Sequence, residues 1–361
     1  MSSKIKNILV TIIFVTILIV VFIANIIEKD EKISLSERRT LTQFPKITVE
    51  KLFNGEVSEQ FEKYTADQFI LRDFFRGIKS FWNINIYKQQ DDNKMFVKDD
   101  GLYKMEYPLN EKNVKNSASK IKAVYDNYLK EMNVYYAIIP DKNYYLENDS
   151  HLKMDYKRLK EIMSEELKDL DYIDIWNELK IEDYYKTDLH WKQENIRPVV
   201  QKIEKEMGLK DSSNVEYAEK EVGDFFGTYY GQIASNVEPD KLYILTNDKI
   251  EKCTTYNYEK QKEKKVYDEN KTDDKYDIYL SGATPLIEIN NPNANSEKEL
   301  LLFRDSFGSS LAPLLIENYK KITLIDLRYM SSKLLEQYIE FENQDVLFMY
   351  SSLILNQNIL K

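Results

Sequence analysis

The sequence predicts an α/β domain on a mainly parallel sheet, preceded by a membrane-spanning helix and a helical lead-in. Three observations carry this reading. From about residue 112 onward, short apolar runs alternate with helix-length amphipathic segments, the pattern of strands covered by helices. Residues 8–27 form one uncharged apolar run. Between the two, aromatic residues recur at helical spacing. With 361 residues, 43% of them hydrophobic, the chain can build a large core, which argues against overall disorder.

The apolar run is 20 residues long, enough for a helix to cross a hydrocarbon core. Lys4 and Lys6 precede it, and Glu28, Lys29, Asp30 and Glu31 follow. The positive-inside rule then puts the N-terminus in the cytoplasm and the rest of the chain outside the cell membrane. Secretory signals have a shorter apolar stretch and a small-residue cleavage site. The end of this run, Phe22-Ile-Ala-Asn-Ile-Ile27, has no A-x-A pattern, so residues 1–30 are expected to be an uncleaved anchor.

Composition removes several function classes. A net charge of −10 and a pI near 5.1 argue against a nucleic-acid binder. The single cysteine, Cys253, excludes an intrachain disulfide, a cysteine-cluster zinc site and a lipidated cysteine behind the apolar run. Two histidines, His151 and His190, are too few for a three-His metal centre. Nine glycines leave little material for phosphate-cradling loops.

Residues 31–110 read as the lead-in, packed on the main domain. Leu52, Phe53, Phe61, Tyr64 and Phe69 fit one helical face, with Arg72, Arg76 and Lys79 between the apolar positions that follow. Residues 111–361 form the main domain. Its expected helices are Val114–Met132, Tyr156–Leu170, Gln193–Met207 with Gly208 as the stop, Ser309–Tyr319 and Ser331–Glu340. Its expected strands are Val134–Ile139 closed by Pro140, Tyr172–Trp176, Leu300–Phe303, Ile322–Ile325 and Val346–Tyr350. Residues 247–278, dense in Lys, Glu, Asp and Asn, read as a solvated hairpin or insertion.

Two places hold candidate chemistry. One is Thr187-Asp188-Leu189-His190-Trp191, and the other is Arg304-Asp305-Ser306-Phe307-Gly308 between a strand and a helix. A serine at such a turn is lifted above the sheet edge, and the N–H groups opening the helix can bind an oxyanion. Its hydroxyl needs a base. His190 has a carboxylate two residues earlier, so Asp188 can hold one imidazole nitrogen while the other faces Ser306. The same residues have plainer readings. Asp188, Asp305 and Ser306 are all suited to helix capping, and His190 to a structural hydrogen bond. Ser309 and Ser310 are rival nucleophiles one turn into the helix. His151 sits in a polar stretch and is expected to be exposed. A metal reading of Asp188 with His190 lacks further ligands, and the absence of G-x-S-x-G disfavours an ordinary α/β-hydrolase. No metal and no cofactor are expected.

The stretch Asp188-Leu-His-Trp191 resembles the signature of the DHHW protein family, which is related to the SGNH-hydrolase-like alginate O-acetyltransferases. Along the chain the likeness continues in Glu37-Arg-Arg-Thr-Leu41, Phe44-Pro45, Phe53-Asn-Gly55, Phe61-Glu62 and Asp67-Gln-Phe69 with Arg72. It resumes in Pro140-Asp-Lys142, Phe226-Gly-Thr228, Tyr279-Leu-Ser-Gly282, Arg304-Asp-Ser-Phe307 with Pro313, and Ile325-Asp-Leu-Arg-Tyr329. Position 189 is Leu where the family name has His, which removes one polar group beside the outer Asp and His. The resemblance implies an SGNH-like three-layer α/β/α sandwich, with Ser306 as nucleophile, His190 as base and Asp188 as the orienting acid. It also implies Gly282 as a second oxyanion donor beside the Ser306 N–H. Arg304 is read either as steering a charged sugar or as an ion-pair partner.

The functional expectation is an extracellular O-acyltransferase that moves acetyl onto a cell-surface or secreted polysaccharide. Acetyl-CoA is cytosolic, so the resemblance implies a membrane-bound O-acyltransferase partner that passes the acyl group outward. Two alternatives stay open at this level: an acetyl esterase using the same residues, and a non-catalytic glycan-binding or scaffold protein.

Overall fold

The central strand of the main sheet, Glu299–Arg304, is buried from Leu300 onward, so both its faces are covered. The same holds throughout Asp345–Ser351. Strands buried on both faces read as continuous apolar runs, which is why Leu300-Leu-Leu-Phe303 and Val346-Leu-Phe-Met-Tyr350 are visible in the sequence. The computed structural model describes residues 3–34, 39–87, 89, 91, 93–147, 150–233, 237–268, 274–280, 282 and 284–361. Glu37, Arg38, Ser281 and residues 269–273 of the charged segment lie outside the described residues.

The chain divides into two units. The smaller comprises residues 1–93 and 230–236, and the larger comprises 94–229 and 237–361. The hairpin of Met95–Lys98 with Gly101–Lys104 belongs to the larger unit.

The larger unit holds an eight-stranded sheet. In space its strands run Lys262–Lys265, Thr254–Asn257, Leu286–Asn290, Lys321–Ile325, Glu299–Arg304, Asp345–Ser351, Val134–Ile139 and Asp171–Tyr172. The last five are parallel, with Phe303 level with Ile325 on one side and Phe348 on the other. The first three are antiparallel additions at one edge. The helix Phe307–Leu315 packs on the central strands and on Arg197–Glu206, while Glu111–Val124 packs on Tyr156–Glu166 and Ser352–Gln357.

Several expected elements are cut short for identifiable reasons. The strand expected over Tyr172–Trp176 stops after Asp171–Tyr172, because the Asp174 carboxylate accepts the Trp176 N–H at 3.1 Å and turns the chain. The helix expected from Gln193 starts as a 3₁₀ turn, Gln193–Asn195, and becomes α-helical at Arg197–Glu206, where Pro198 fits the first turn. Ser332–Gln337 is 3₁₀ rather than α.

The charged segment is a correction of substance. Thr254–Asn257 and Lys262–Lys265 do form a hairpin, and its outer strand is mostly exposed, with lysines that discourage further pairing. Yet the hairpin extends the main sheet, and Cys253, Tyr276 and Ile278 are buried. His151 is half-buried rather than exposed, and stacks on Phe96 at 3.7 Å between ring centres.

In the smaller unit, Ser3–Ile27 is one continuous helix, long and apolar enough to cross a membrane, with none of its residues buried. Short helices follow at Val49–Phe53, Glu56–Asp67 and Arg72–Phe81.

Candidate active site

Ser306 is the one residue from Leu300 to Ile316 that is not fully buried. It stands between the central strand and the helix Phe307–Leu315. Its side chain does not cap that helix. Asp305 does so instead: one carboxylate oxygen accepts the Phe307 N–H at 3.0 Å, and the other accepts the Ser351 N–H of the adjacent parallel strand at 2.7 Å. The Ser306 hydroxyl is therefore left to another partner. His190 Nε2 lies 2.7 Å from Ser306 Oγ.

The far side of the imidazole is equally constrained. His190 Nδ1 lies 2.5 Å from Asp188 Oδ1, which also accepts the His190 backbone N–H at 2.9 Å. Asp188 Oδ2 accepts the Thr228 N–H at 2.6 Å. A carboxylate only accepts, so Nδ1 carries the imidazole proton and Nε2 turns a lone pair to the Ser306 hydroxyl. Asp188 therefore does not cap the helix that follows Trp191; its Oδ2 takes the first N–H of the short helix Thr228–Ile233 instead. Ser309 and Ser310 are buried. Ser310 Oγ accepts the Trp191 indole N–H at 2.9 Å and lies 3.1 Å from the Phe307 carbonyl, which occupies it structurally.

The imidazole is walled by rings. Tyr276 stacks on it at 4.0 Å with a 13° tilt, and Phe307 lies at 4.7 Å on a steeper angle. Burial holds the Tyr276 phenol well above its ordinary pKa, so it stays a neutral O–H within 3.2 Å of Ser310 Oγ. Tyr276 was not legible as a site residue, because its sequence neighbourhood is the charge-dense stretch that reads as solvated.

The loop bearing Asp188 and His190 is held from beneath by two buried groups. Asp240 accepts the Lys186 and Thr187 N–H groups, each at 2.8 Å, and the Thr187 hydroxyl at 2.6 Å. Lys142 donates to the carbonyls of Tyr185, Lys186 and Asp188 at 2.9, 3.1 and 2.9 Å. Burial pushes the Lys142 ammonium down to about 7, against the pull of Asp188 and Asp240. A Lys142→Met variant leaves three loop carbonyls without this donor. We expect a loss of about 3 kcal/mol in denaturant-measured stability and a fall in activity, because each buried acceptor left unpaired costs about 1–3 kcal/mol.

Gly227 faces the loop so closely that a Cβ there would lie 2.3 Å from Asp188 Cβ and 2.5 Å from the Thr187 carbonyl oxygen. Both contacts involve atoms that cannot swing away. Gly227→Ala is expected to cost about 2–3 kcal/mol by thermal or denaturant unfolding and to shift Asp188 off His190.

The two remaining sequence candidates fall differently. Arg304 is 1% exposed, lies 3.6 Å from buried Asp326 and points at no surface, so its place is that of an ion-pair partner. Its Cβ and Cγ also pack where a Cβ on Gly308 would sit. Gly282 adopts φ +78°, and a Cβ there would lie 2.3 Å from Asp277 Oδ1, so glycine fits this bend by conformation and by space. The Ser306 N–H has no acceptor among the described residues, which leaves it available to an incoming oxygen. Also among the described residues, no group of three or more His, Cys, Asp or Glu is placed to hold a metal.

A serine hydroxyl against an imidazole nitrogen, with the other nitrogen on a buried carboxylate, is the arrangement that serves acyl transfer through serine. Comparison with known proteins agrees with the fold. A DHHW family protein from Eubacterium siraeum DSM 15702 superposes with a TM-score of 0.62 at 18% identity, over 75% of this chain and 97% of its own. Bacillus cereus PatB1, solved with a sulfonyl adduct, superposes with a TM-score of 0.60 at 23% identity, over 74% of this chain and 96% of its own. The O-acetyltransferase domain of Pseudomonas putida AlgJ, at 11% identity and a TM-score of 0.46 over 73% of this chain and 92% of its own, is too distant to bear on the chemistry. No curated protein matches the sequence. Residues 171–325 match the model of the DHHW protein family, so the resemblance seen in Asp188-Leu-His-Trp191 is a family match across the stretch that holds Asp188, His190 and Ser306.

Proposed function

We propose that the protein is a membrane-anchored extracellular O-acyltransferase, most simply an O-acetyltransferase, that modifies a cell-surface or secreted polysaccharide. The fold belonging to this reading is an SGNH-like three-layer α/β/α sandwich. The observation that carries the reading is the unbroken line Asp188–His190–Ser306, at 2.5 and 2.7 Å.

In the first half-reaction His190 Nε2 takes the Ser306 proton as Oγ attacks the acyl carbonyl of the donor. The Ser306 N–H stabilises the oxyanion, and Asp188 stabilises the imidazolium. Collapse releases the donor alcohol, which leaves with the proton from His190. In the second half a sugar hydroxyl gives its proton to His190 and attacks the acyl-serine. As the tetrahedral intermediate collapses, His190 returns that proton to the leaving Ser306 Oγ, giving a sugar ester and free Ser306. With the catalytic domain outside the cell and the Ser3–Ile27 helix in the membrane, the donor is a partner membrane-bound O-acyltransferase that delivers acyl groups across the bilayer.

The test is intact-mass measurement of the full chain in detergent after exposure to an activated acetyl ester, followed by peptide mapping. One acetyl group on Ser306, discharged onto an added acceptor glycan, is the expected result. Discharge to water alone, whatever glycan is supplied, would replace transfer by ester hydrolysis. No adduct and no ester turnover from a folded chain would leave a glycan-binding or scaffold protein. A sulfonyl fluoride is a second probe of the same serine, since PatB1 has been obtained with a sulfonyl adduct.

A further inference from the structure

The helix Arg72–Phe81 is inside out for a water-soluble protein. Phe74, Phe75, Ile78 and Phe81, with Trp82 directly after them, fall on one side of the helical wheel and are exposed by 61, 49, 40, 52 and 47%. On the polar side Asp73 and Lys79 are exposed, while Ser80, Arg72 and Arg76 turn toward the protein. Ser80 is buried. Arg76 donates to the carbonyls of Gly231 and Gln232 at 2.7 and 3.1 Å and pairs with Asp73 at 3.0 Å. Arg72 donates to the Ala66 carbonyl at 3.2 Å.

The position of this helix is tied to the end of the apolar N-terminal helix. The Asn25 side chain, two residues before that helix ends, accepts the Ile70 N–H at 2.9 Å. Gln68 is linked to Glu31 in both directions, at 3.0 and 2.9 Å, and the Tyr64 hydroxyl reaches Asp30 at 2.9 Å. Asn25 thus stands about 3 Å along the axis from the end of the spanning helix, and Arg72–Phe81 begins two residues beyond its partner.

We propose that Arg72–Trp82 lies in the outer headgroup–acyl boundary of the membrane, with Phe74, Phe75, Ile78, Phe81 and Trp82 immersed. The occupant of the apolar face is lipid, because the hydrogen bonds of Ile70, Gln68 and Tyr64 to Asn25, Glu31 and Asp30 set the start of this helix at the depth where the anchor leaves the hydrocarbon. Aromatic residues on an amphipathic helix are suited to that depth. The proposal rests on the anchor reading of Ser3–Ile27 and is independent of the acyl-transfer chemistry.

Trp82 supplies the test, since Trp176 and Trp191 are 2% and 0% exposed. The full chain is reconstituted in phosphatidylcholine vesicles with plain or acyl-brominated lipid, floated on a density gradient, and its tryptophan emission measured. The expected result is co-flotation and at least a twofold bromolipid quenching of the Trp82 share of emission, absent from a Trp82→Phe variant. A Phe74→Ser, Ile78→Ser variant should float equally well and lose the quenching. A chain that floats but is not quenched overturns the proposal and hands the apolar face to a protein partner or a second copy. A chain that does not float overturns the anchor reading and this proposal together. Neither outcome touches the Ser306 acyl-adduct assay.

Discussion

Replacing Ser306 by Ala is expected to abolish the acyl adduct and to lower ester turnover by about 10³-fold or more, with almost no change in stability. The stability half of this expectation comes from the local structure. Ser306 makes no cap bond, and Asp305 supplies both the cap of the following helix and the tie to Ser351. Deleting the hydroxyl therefore removes one contact, the 2.7 Å approach to His190, from a partly exposed position. A change within about 0.5 kcal/mol is the norm for such a site. The activity half has an internal check. Ser306 and His190 would act as one unit, so His190→Ala should cost about as much, and the double variant should be no worse than either single one. Turnover is measured with an activated ester, and folding with denaturant. A Ser306→Ala protein that retains turnover within tenfold of the parent would remove the nucleophile assignment. An additive double variant would show that the two residues serve separate steps.

The parts of this site that the sequence discloses and the parts it conceals differ in physical kind. Ser306 is legible because it ends an apolar run and opens a helix, and both features are local. The central parallel strands are legible for the same reason: burial on both faces leaves an unbroken apolar run. Concealed are the features made by long-range contact. Asp240 and Lys142 hold the His190 loop through its backbone N–H and carbonyl groups, so no pattern in residues 185–190 announces them. Gly227 is visible as a glycine, but its approach to Asp188 is set by chain packing forty residues away. Tyr276 and Cys253 are hidden by charged neighbours, because a hairpin at a sheet edge exposes one side while its flanks are buried. The strand Leu286–Asn290 goes unpredicted since Glu288 interrupts its apolar run and it joins antiparallel, outside the strand–helix alternation that identifies the others.

Asp188→Asn tests whether the carboxylate acts on the histidine or merely fills space, and a fall in turnover of about 10³–10⁴-fold is expected. The argument runs through the donors that surround Asp188. Oδ1 faces two N–H groups of His190, the backbone one at 2.9 Å and Nδ1 at 2.5 Å, while Oδ2 faces the Thr228 N–H at 2.6 Å. An amide has one oxygen and one NH₂, so it cannot satisfy both sides. With the amide nitrogen toward His190, Nδ1 must give up its proton and accept, which moves that proton to Nε2 and removes the base from Ser306. With the oxygen toward His190 the tautomer survives, but two donors oppose each other at Thr228 and the imidazolium loses its counter-charge. That arrangement costs about 1–3 kcal/mol of stability, because Asp188 is fully buried and no water replaces the lost partner. The two orientations are told apart by the nitrogen NMR shifts of His190 together with a denaturation curve. The Glu variant would keep the charge but cannot keep the 2.5 Å contact without moving the loop that Gly227 already crowds. Turnover within tenfold of the parent in a folded Asp188→Asn chain would mean that His190 is oriented by other groups, and Asp188 would then be a structural acceptor for Thr228.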